Sequence, residues 1–355
     1  MYPVQKKRRR KRYPCPRGKG TFIEEGENMS MQLAIMGYGN LGHGVELAAR
    51  QNPDMTLTGI YTSRPPETVR SVTGAPVYAA AEVYRHAAKI DVLVLCGGSA
   101  KDLPHMTPTY AGAFHVVDSF DTHAAIAEHF EKTDAAARAG DHLALISAGW
   151  DPGLLSLARM YAEAVLPAGK TYTFWGPGVS QGHSDAVRRI PGVRDAREYT
   201  LPQPEVFRLA QKGGTPPDTP AALHRRVCYV VPEPGADTGE IARAIRTMPD
   251  YFAGYQTEIV FLNEEKFRKE HTRLPHEGIV LRYGTTGCEN ENKSSFSCQL
   301  KLSSNPEFTG SVLVACARAV HRMQSRGCRG CITMADVAPA DLSPLSPGRL
   351  RAAWL

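Results

Sequence analysis

The stretch Gly37-Tyr38-Gly39-Asn40-Leu41-Gly42 sets three glycines at the G-x-G-x-x-G spacing, directly after the apolar run QLAIM and at the head of NLGHGVELAARQ. Between a strand and a helix that spacing has a mechanical meaning. The first glycine permits a tight turn, the second lets a pyrophosphate approach the backbone, and the third lets the helix press on the strand. The helix start then offers unpaired N–H groups to phosphate oxygens. About 20 residues further on, a NAD site usually carries an Asp or Glu for the ribose hydroxyls. Here the chain reads Thr62-Ser63-Arg64. Hydroxyls and a guanidinium suit a 2′-phosphate, so NADP is the expected cofactor, although Arg64 alone also reads as an exposed loop arginine. The turn Cys96-Gly97-Gly98-Ser99 ends a later strand, and at the carboxyl edge of a parallel sheet it would border the nicotinamide. A plain strand-to-helix turn is the competing reading.

Two carboxylates follow at strand ends on the same edge, Asp121 in DSFDTH and Asp151 in GWDPG. There they can bind an ammonium group or take a proton from it. Each also reads as a helix cap, Asp151 ahead of Pro152 and Asp121 ahead of a helix near His123. Pattern alone supports capping at least as well as catalysis. The run FWGPGVSQGHSDAVRRIPGV, residues 174–193, sets His183 near Asp185 without further ligand-type neighbours, so no metal is expected. Cys328 and Cys331 make one CxxC spacing with no second pair, and chance is the favoured reading. The eight cysteines read as reduced thiols of a cytoplasmic protein.

These groups need a scaffold, and the hydrophobic pattern supplies one. QLAIMGYG, MTLTGIYTS, IDVLVLCGG, HVVDSF and DHLALISAGW read as buried strands. NLGHGVELAARQ, AAEVYRHAAK, the stretch through DLPHMTPTYAGAF and AAIAEHFEKTDAAARAG read as the helices between them. Such alternation argues for an α/β Rossmann-type parallel sheet with helices on both faces. After Trp150 the strands KTYTFW, AREYTLP, RRVCYVVP, YQTEIVFL, HEGIVLRYG and SFSCQLKLSSN follow one another through polar connections. That texture implies an α+β domain with a largely antiparallel sheet. TGSVLVACARAVHRMQ returns to helical periodicity and is expected to pack back on the first domain. The expected divisions are a disordered basic leader (1–30), a dinucleotide-binding domain (31–149), a substrate/dimerisation domain (150–304), a returning helical region (305–340) and a frayed tail (341–355).

The formal charge of +6 is confined to one end. Residues 1–30 hold nine Lys or Arg and three Glu, which leaves the remaining residues formally neutral. A neutral body argues against a nucleic-acid partner, and the leader is read as dispensable or as preceding a true start at Met29 or Met31. No apolar run approaches the ~20 residues that span a membrane.

Taken together, MGYGNLG, DSFDTH, SAGWDPG, TFWGPGVSQGHSDAVRRIPGV, RTMPDYFAGY and HTRLPHEG closely resemble the meso-diaminopimelate dehydrogenases, nearly continuously from Met31 to about Pro339. The resemblance implies a homodimer and an NADP-dependent oxidative deamination. The D-configured amino carbon of meso-2,6-diaminopimelate would give L-2-amino-6-oxopimelate and ammonia, reversibly, within lysine and peptidoglycan precursor synthesis. It implies that Asp121 and Asp151 hold the reacting ammonium, that Trp150 and Trp175 wall the pocket, and that Gln181-Gly182 meets the near carboxylate. Thr200, Arg226 and His276 would grip the far carboxylate, and Asn305 the far amino group. Residues 174–193 would then form a loop covering the substrate. Read without the resemblance, Arg225-Arg226 looks like a solvated strand end and His276 like a loop histidine. The chain departs from the family pattern at Ser63-Arg64, where two adjacent arginines are expected. A dehydrogenase of broader D-amino acids and an NADP(H)-sensing regulator are the alternatives.

Overall fold

The computed structural model describes residues 30–355, so nearly all of the basic leader lies outside the described residues. The described chain divides into two units, residues 30–147 with 313–355, and residues 148–312.

In the first unit β1 (Met31–Met36), β2 (Met55–Thr62), β3 (Val77–Ala79), β4 (Val92–Leu95), β5 (Val116–Asp118) and β6 (Leu143–Leu145) join a late strand, Gly330–Ile332, in one sheet. The order runs from Gly330–Ile332 through β6, β5, β4, β1 and β2 to β3, and every pairing is parallel. The central strands are buried along almost their whole length, as a sheet covered on both faces requires. Helix Asn40–Arg50 turns Val45, Ala48 and Ala49 inward. Leu93, Leu95, Leu103, Phe114 and Val116 belong to the core of this unit.

Three expectations change. The sheet has seven strands, not five, because β3 and Gly330–Ile332 are three-residue strands too short to carry a period of two. AAEVYRHAAK forms a 3₁₀ helix, Ala80–Lys89, and not an α-helix. The tail expected to fray carries helices Pro339–Leu342 and Pro347–Trp354.

The second unit contains β7 (Gly169–Trp175), β8 (Gly178–Ser180), β9 (Val193–Pro202), β10 (His224–Pro232), β11 (Gln256–Phe261), β12 (His276–Thr286) and β13 (Asn292–Leu302). They form two sheets, β13-β12-β7 and β11-β10-β9-β8. All neighbours are antiparallel except β10 and β11. Helix Leu154–Val165 covers one face of the three-stranded sheet through Leu155 and Ala158, in a core with Trp150, Val280 and Leu302. Tyr172, Phe174 and Leu281 pack with Ala210 and Leu223 in a second core.

Candidate functional site

In the first unit Gly37 adopts a φ of +92°, a conformation that L side chains rarely tolerate. A Cβ on Gly42 would lie 2.5 Å from the Gly37 carbonyl oxygen, so the helix presses directly on the turn. Gly39 is exposed, with no heavy atom within 4 Å of where its Cβ would stand. It occupies the N-cap of helix Asn40–Arg50 without a side-chain cap. Asn40 is exposed and Leu41 half-buried beside it. The first-turn N–H groups of this helix are therefore not satisfied by a capping side chain, and the open space at Gly39 lets a ligand approach the backbone closely. These features fit a pyrophosphate.

Tyr38 belongs to the glycine turn through its backbone: its ring is buried, and its hydroxyl donates to Glu46. Arg64 donates to the Tyr38 carbonyl, and its own N–H donates to Thr62 Oγ1 at 3.1 Å. Ser63 and Arg64 are exposed and Thr62 is buried. The structure thus joins the Thr62-Ser63-Arg64 turn to the glycine turn through one guanidinium. Across the sheet, Cys96 and Gly97 are half-buried and Gly98 is exposed. Burial pushes the Cys96 thiol up, and it is un-ionised at neutral pH. The Gly98 N–H donates to Asp102 Oδ2 at 2.7 Å. Ser99 Oγ accepts from the Asp121 backbone at 2.9 Å, so the Cys96–Ser99 turn and the Asp121 loop are one structure. Asp121 is exposed and does not cap: the 3₁₀ turn His123–Ala125 is entered through Thr122, without a side-chain cap bond.

In the second unit the capping reading of Asp151 also fails. Gly153 is the N-cap of helix Leu154–Val165. The Asp151 carboxylate, 1% exposed, meets Arg159 instead: Nη2 reaches Oδ1 at 2.5 Å and Nη1 reaches Oδ2 at 3.2 Å. Trp175 Nε1 donates to Oδ2 at 2.7 Å. The Trp175 backbone N–H donates to His224 Nε2 at 2.9 Å, and His224 Nδ1 donates to the Pro220 carbonyl at 3.0 Å. Burial pushes His224 down to about 4, in keeping with the neutral tautomer these bonds require.

Trp150 joins this group to the others. Its Nε1 donates to Asn305 Oδ1 at 3.0 Å, and its ring lies 4.7 Å from that of His276. Thr309 also donates to Asn305 Oδ1, at 3.1 Å. Asn305, expected to help bind the far amino group, thus has its Oδ1 bonded by both Trp150 and Thr309. His276 is buried at the head of β12, not in a loop. Its Nδ1 donates to the Glu277 carbonyl at 2.9 Å, and burial lowers its pKa against the opposing pull of that bond and of Asp151. Its ring lies against Gly178, leaving no room there for a Cβ.

Gly178 stands opposite Thr200, and Thr200 opposite Arg226. Arg226 lies inside β10, not at a solvated strand end. Its side chain is 7% exposed, and Nη1 donates to Glu198 Oε1 at 3.0 Å and to Thr200 Oγ1 at 3.2 Å. Its guanidinium stacks 4.0 Å over Tyr255. Burial pushes Glu198 up to about 7, with Arg226 pulling against it. His183 sits against Phe252 and is pushed down to about 3, first by burial and then by the Arg226 charge. The expected covering loop is in fact β8 followed by helix Gln181–Arg188. Gln181 and Gly182 are its exposed first residues, and Ser180 Oγ is its cap. Asp185 pairs with Arg188 and Arg189.

Arg159, Glu198, His224 and Tyr255 were not expected. Glu198 was findable, since it stands two residues before Thr200 and so shares its strand face. Arg159, eight residues after Asp151, left no comparable signal.

A parallel sheet with an open glycine turn and a second unit holding buried groups of both charge signs define a two-domain dehydrogenase of the Rossmann class. Residues 149–304 match the Diaminopimelic acid dehydrogenase C-terminal domain. The meso-diaminopimelate D-dehydrogenase of Acetivibrio thermocellus is 49% identical over 326 residues, covering 92% of this chain and 98% of that protein. The Corynebacterium glutamicum enzyme is 45% identical over 315 residues, 89% of this chain and 96% of that protein. A structure of C. glutamicum DAP dehydrogenase in complex with DAP superposes with a TM-score of 0.86 at 44% identity, covering 92% of this chain and 99% of that one. An engineered D-amino acid dehydrogenase bound to NADP+ superposes at 0.83 and 43%, covering 92% of this chain and 100% of that one. The chain belongs to the meso-diaminopimelate D-dehydrogenase family and is an amino acid dehydrogenase. No helix among the described residues is long and apolar enough to cross a membrane.

Proposed function

We propose that this chain oxidatively deaminates the D-centre of meso-2,6-diaminopimelate with NADP, giving L-2-amino-6-oxopimelate and ammonia. The reverse direction would make the diamino acid for lysine and peptidoglycan synthesis. One observation carries the reading: a carboxylate bonded by Trp175 and next to Trp150 in the chain, and a buried, stacked guanidinium, occur in one unit, linked through Trp150, His276, Gly178 and Thr200. A diamino diacid needs groups of both signs at separated points, and these supply them.

NADP accepts the hydride when bound. Its expected contacts are the Gly37–Gly42 turn, Thr62, Ser63 and Arg64, with Cys96–Ser99 on the nicotinamide side. Asp121 and Asp151 would accept hydrogen bonds from the reacting ammonium, and Trp150 and Trp175 would exclude water from the reacting carbon. The exposed helix start at Gln181-Gly182 suits the near carboxylate. Thr200, Arg226 and His276 would hold the far carboxylate, which selects the carbon presented for oxidation. Asn305 would serve the far end by fixing Trp150. A homodimer is proposed as well. Met160, Tyr161 and Val165, each more than half exposed on helix Leu154–Val165, support a self-association surface. A cytoplasmic location accords with the substrate.

NADPH formation followed at alkaline pH with meso-, LL- and DD-diaminopimelate, and repeated with NAD, tests the reading. Oxidation of the meso isomer with NADP alone is expected. Equal oxidation of all three isomers would refute the far-end grip, and comparable oxidation of simple D-amino acids would favour the broader dehydrogenase.

A further inference from the structure

Asp151 is the most heavily engaged carboxylate of the second unit's candidate site, and its main partner, Arg159, has no role in the reading above. A carboxylate presents about four lone-pair directions. Oδ2 accepts from Trp175 Nε1 at 2.7 Å and from Arg159 Nη1 at 3.2 Å, and Oδ1 accepts from Arg159 Nη2 at 2.5 Å. Three directions are thereby used, and one remains, on Oδ1. The guanidinium is itself fixed. Its Nη2 also donates to Ser156 Oγ at 3.0 Å and its Nη1 to Thr173 Oγ1 at 3.3 Å, so helix Leu154–Val165 and β7 both determine its plane. A bidentate fork sets the plane of the carboxylate it grips, which a point charge does not do.

We infer that Arg159 is a positioning residue for the reaction: with Trp175, it turns Asp151 so that a single Oδ1 lone pair is left to receive the substrate ammonium. The inference rests on the proposed role of Asp151. Arg159 itself touches no reacting atom. Its effect is to deny Asp151 a choice of orientation, so the amino carbon is presented at one angle. Because a misplacement of about 1 Å can cost ~100-fold in rate, a loosened carboxylate should be felt in kcat more than in binding.

The test uses Arg159→Lys, Arg159→Ala and Asp151→Asn in the full chain, with meso-diaminopimelate and NADP. Arg159→Ala is expected to lower kcat about 10- to 100-fold while KM for NADP stays within twofold. Added methylguanidinium should restore part of that loss. Arg159→Lys, which keeps the charge but not the fork, should fall between Arg159→Ala and the unsubstituted chain. If Asp151→Asn is strongly impaired while both Arg159 variants keep kcat within twofold, the inference is wrong and the role of Asp151 stands. A drop in Arg159→Ala that matches its loss of folded protein, with no recovery by methylguanidinium and a fully active Arg159→Lys, would also overturn it. If Asp151→Asn is itself fully active, the underlying reading falls instead.

Discussion

Glu198 and Arg226, on neighbouring antiparallel strands, form a 3.0 Å ion pair in which the carboxylate is fully buried and the guanidinium side chain is 7% exposed. Thr200 Oγ1 completes the arrangement by accepting from Arg226 and donating to Glu198. The guanidinium proposed to hold a substrate carboxylate is thus itself held by a carboxylate of the protein.

Removing the cation should therefore cost more than binding. Arg226→Met is expected to raise KM for meso-diaminopimelate at least ~10-fold, and to lower stability by an amount that grows as pH rises above about 7, because ionised Glu198 loses the cation that offsets its burial. The double variant Arg226→Met/Glu198→Gln should regain most of that stability but not the lost affinity. Urea denaturation of the two proteins decides the matter: equal stability would contradict the argument.

The same pair sets a pH dependence. Burial raises folded Glu198 to about 7 from 4.5, so it favours the protonated form more than the unfolded chain does. Its contribution is fully present below pH 4.5 and is lost as pH rises through about 7. Glu198→Gln cannot ionise, so its stability relative to the unsubstituted chain should rise from pH 4.5 to about 7. A constant difference across that window would exclude the coupling.

His224 works in the opposite sense. Its pKa is pushed from 6.5 down to about 4, so the stability it contributes is present above 6.5 and is lost as pH falls through about 4. The indole of Trp175, whose backbone N–H bonds His224, should report the change as altered fluorescence on acidification. His224→Gln is expected to flatten the acid limb of a denaturation profile between pH 6.5 and 4. An unaltered limb would show that other groups dominate it.

The glycine turn separates two kinds of substitution. Gly42→Ala drives a methyl into the Gly37 carbonyl and should destabilise by about 1–3 kcal/mol, as overpacking does. Gly39→Ala meets no protein atom, so Tm should barely move while Kd for NADP rises severalfold. Calorimetry with and without NADP separates the two, and an equal loss of affinity without any loss of Tm in Gly42→Ala would sink the steric account.

Long, strongly patterned segments were readable in advance, and local geometry was not. The buried runs of β1, β4 and β5 and the glycines between β1 and its helix follow from apolar patterning and spacing. Three-residue strands such as Val77–Ala79 exist because a neighbour supplies their hydrogen bonds, which no local pattern records. Arg226 looked solvated because charge normally is, yet its burial depends on Glu198 from another strand. The capping reading of Asp151 was removed by Gly153 at the N-cap and by Arg159 and Trp175, partners that only the folded chain brings within reach. The helix at Gln181 escaped notice because glycine and proline bracket it, although Ser180 is an ordinary N-cap.

The strand Gly330–Ile332, parallel to β6 in the first unit, is made only after the whole of the second unit. During synthesis the seven-stranded sheet must therefore wait, with β6 as an open edge, until the ribosome has delivered everything between. Edges of that kind invite pairing with other chains, and closing so long a loop slows folding. The last strand thus ties completion of the first unit to the prior emergence of the second.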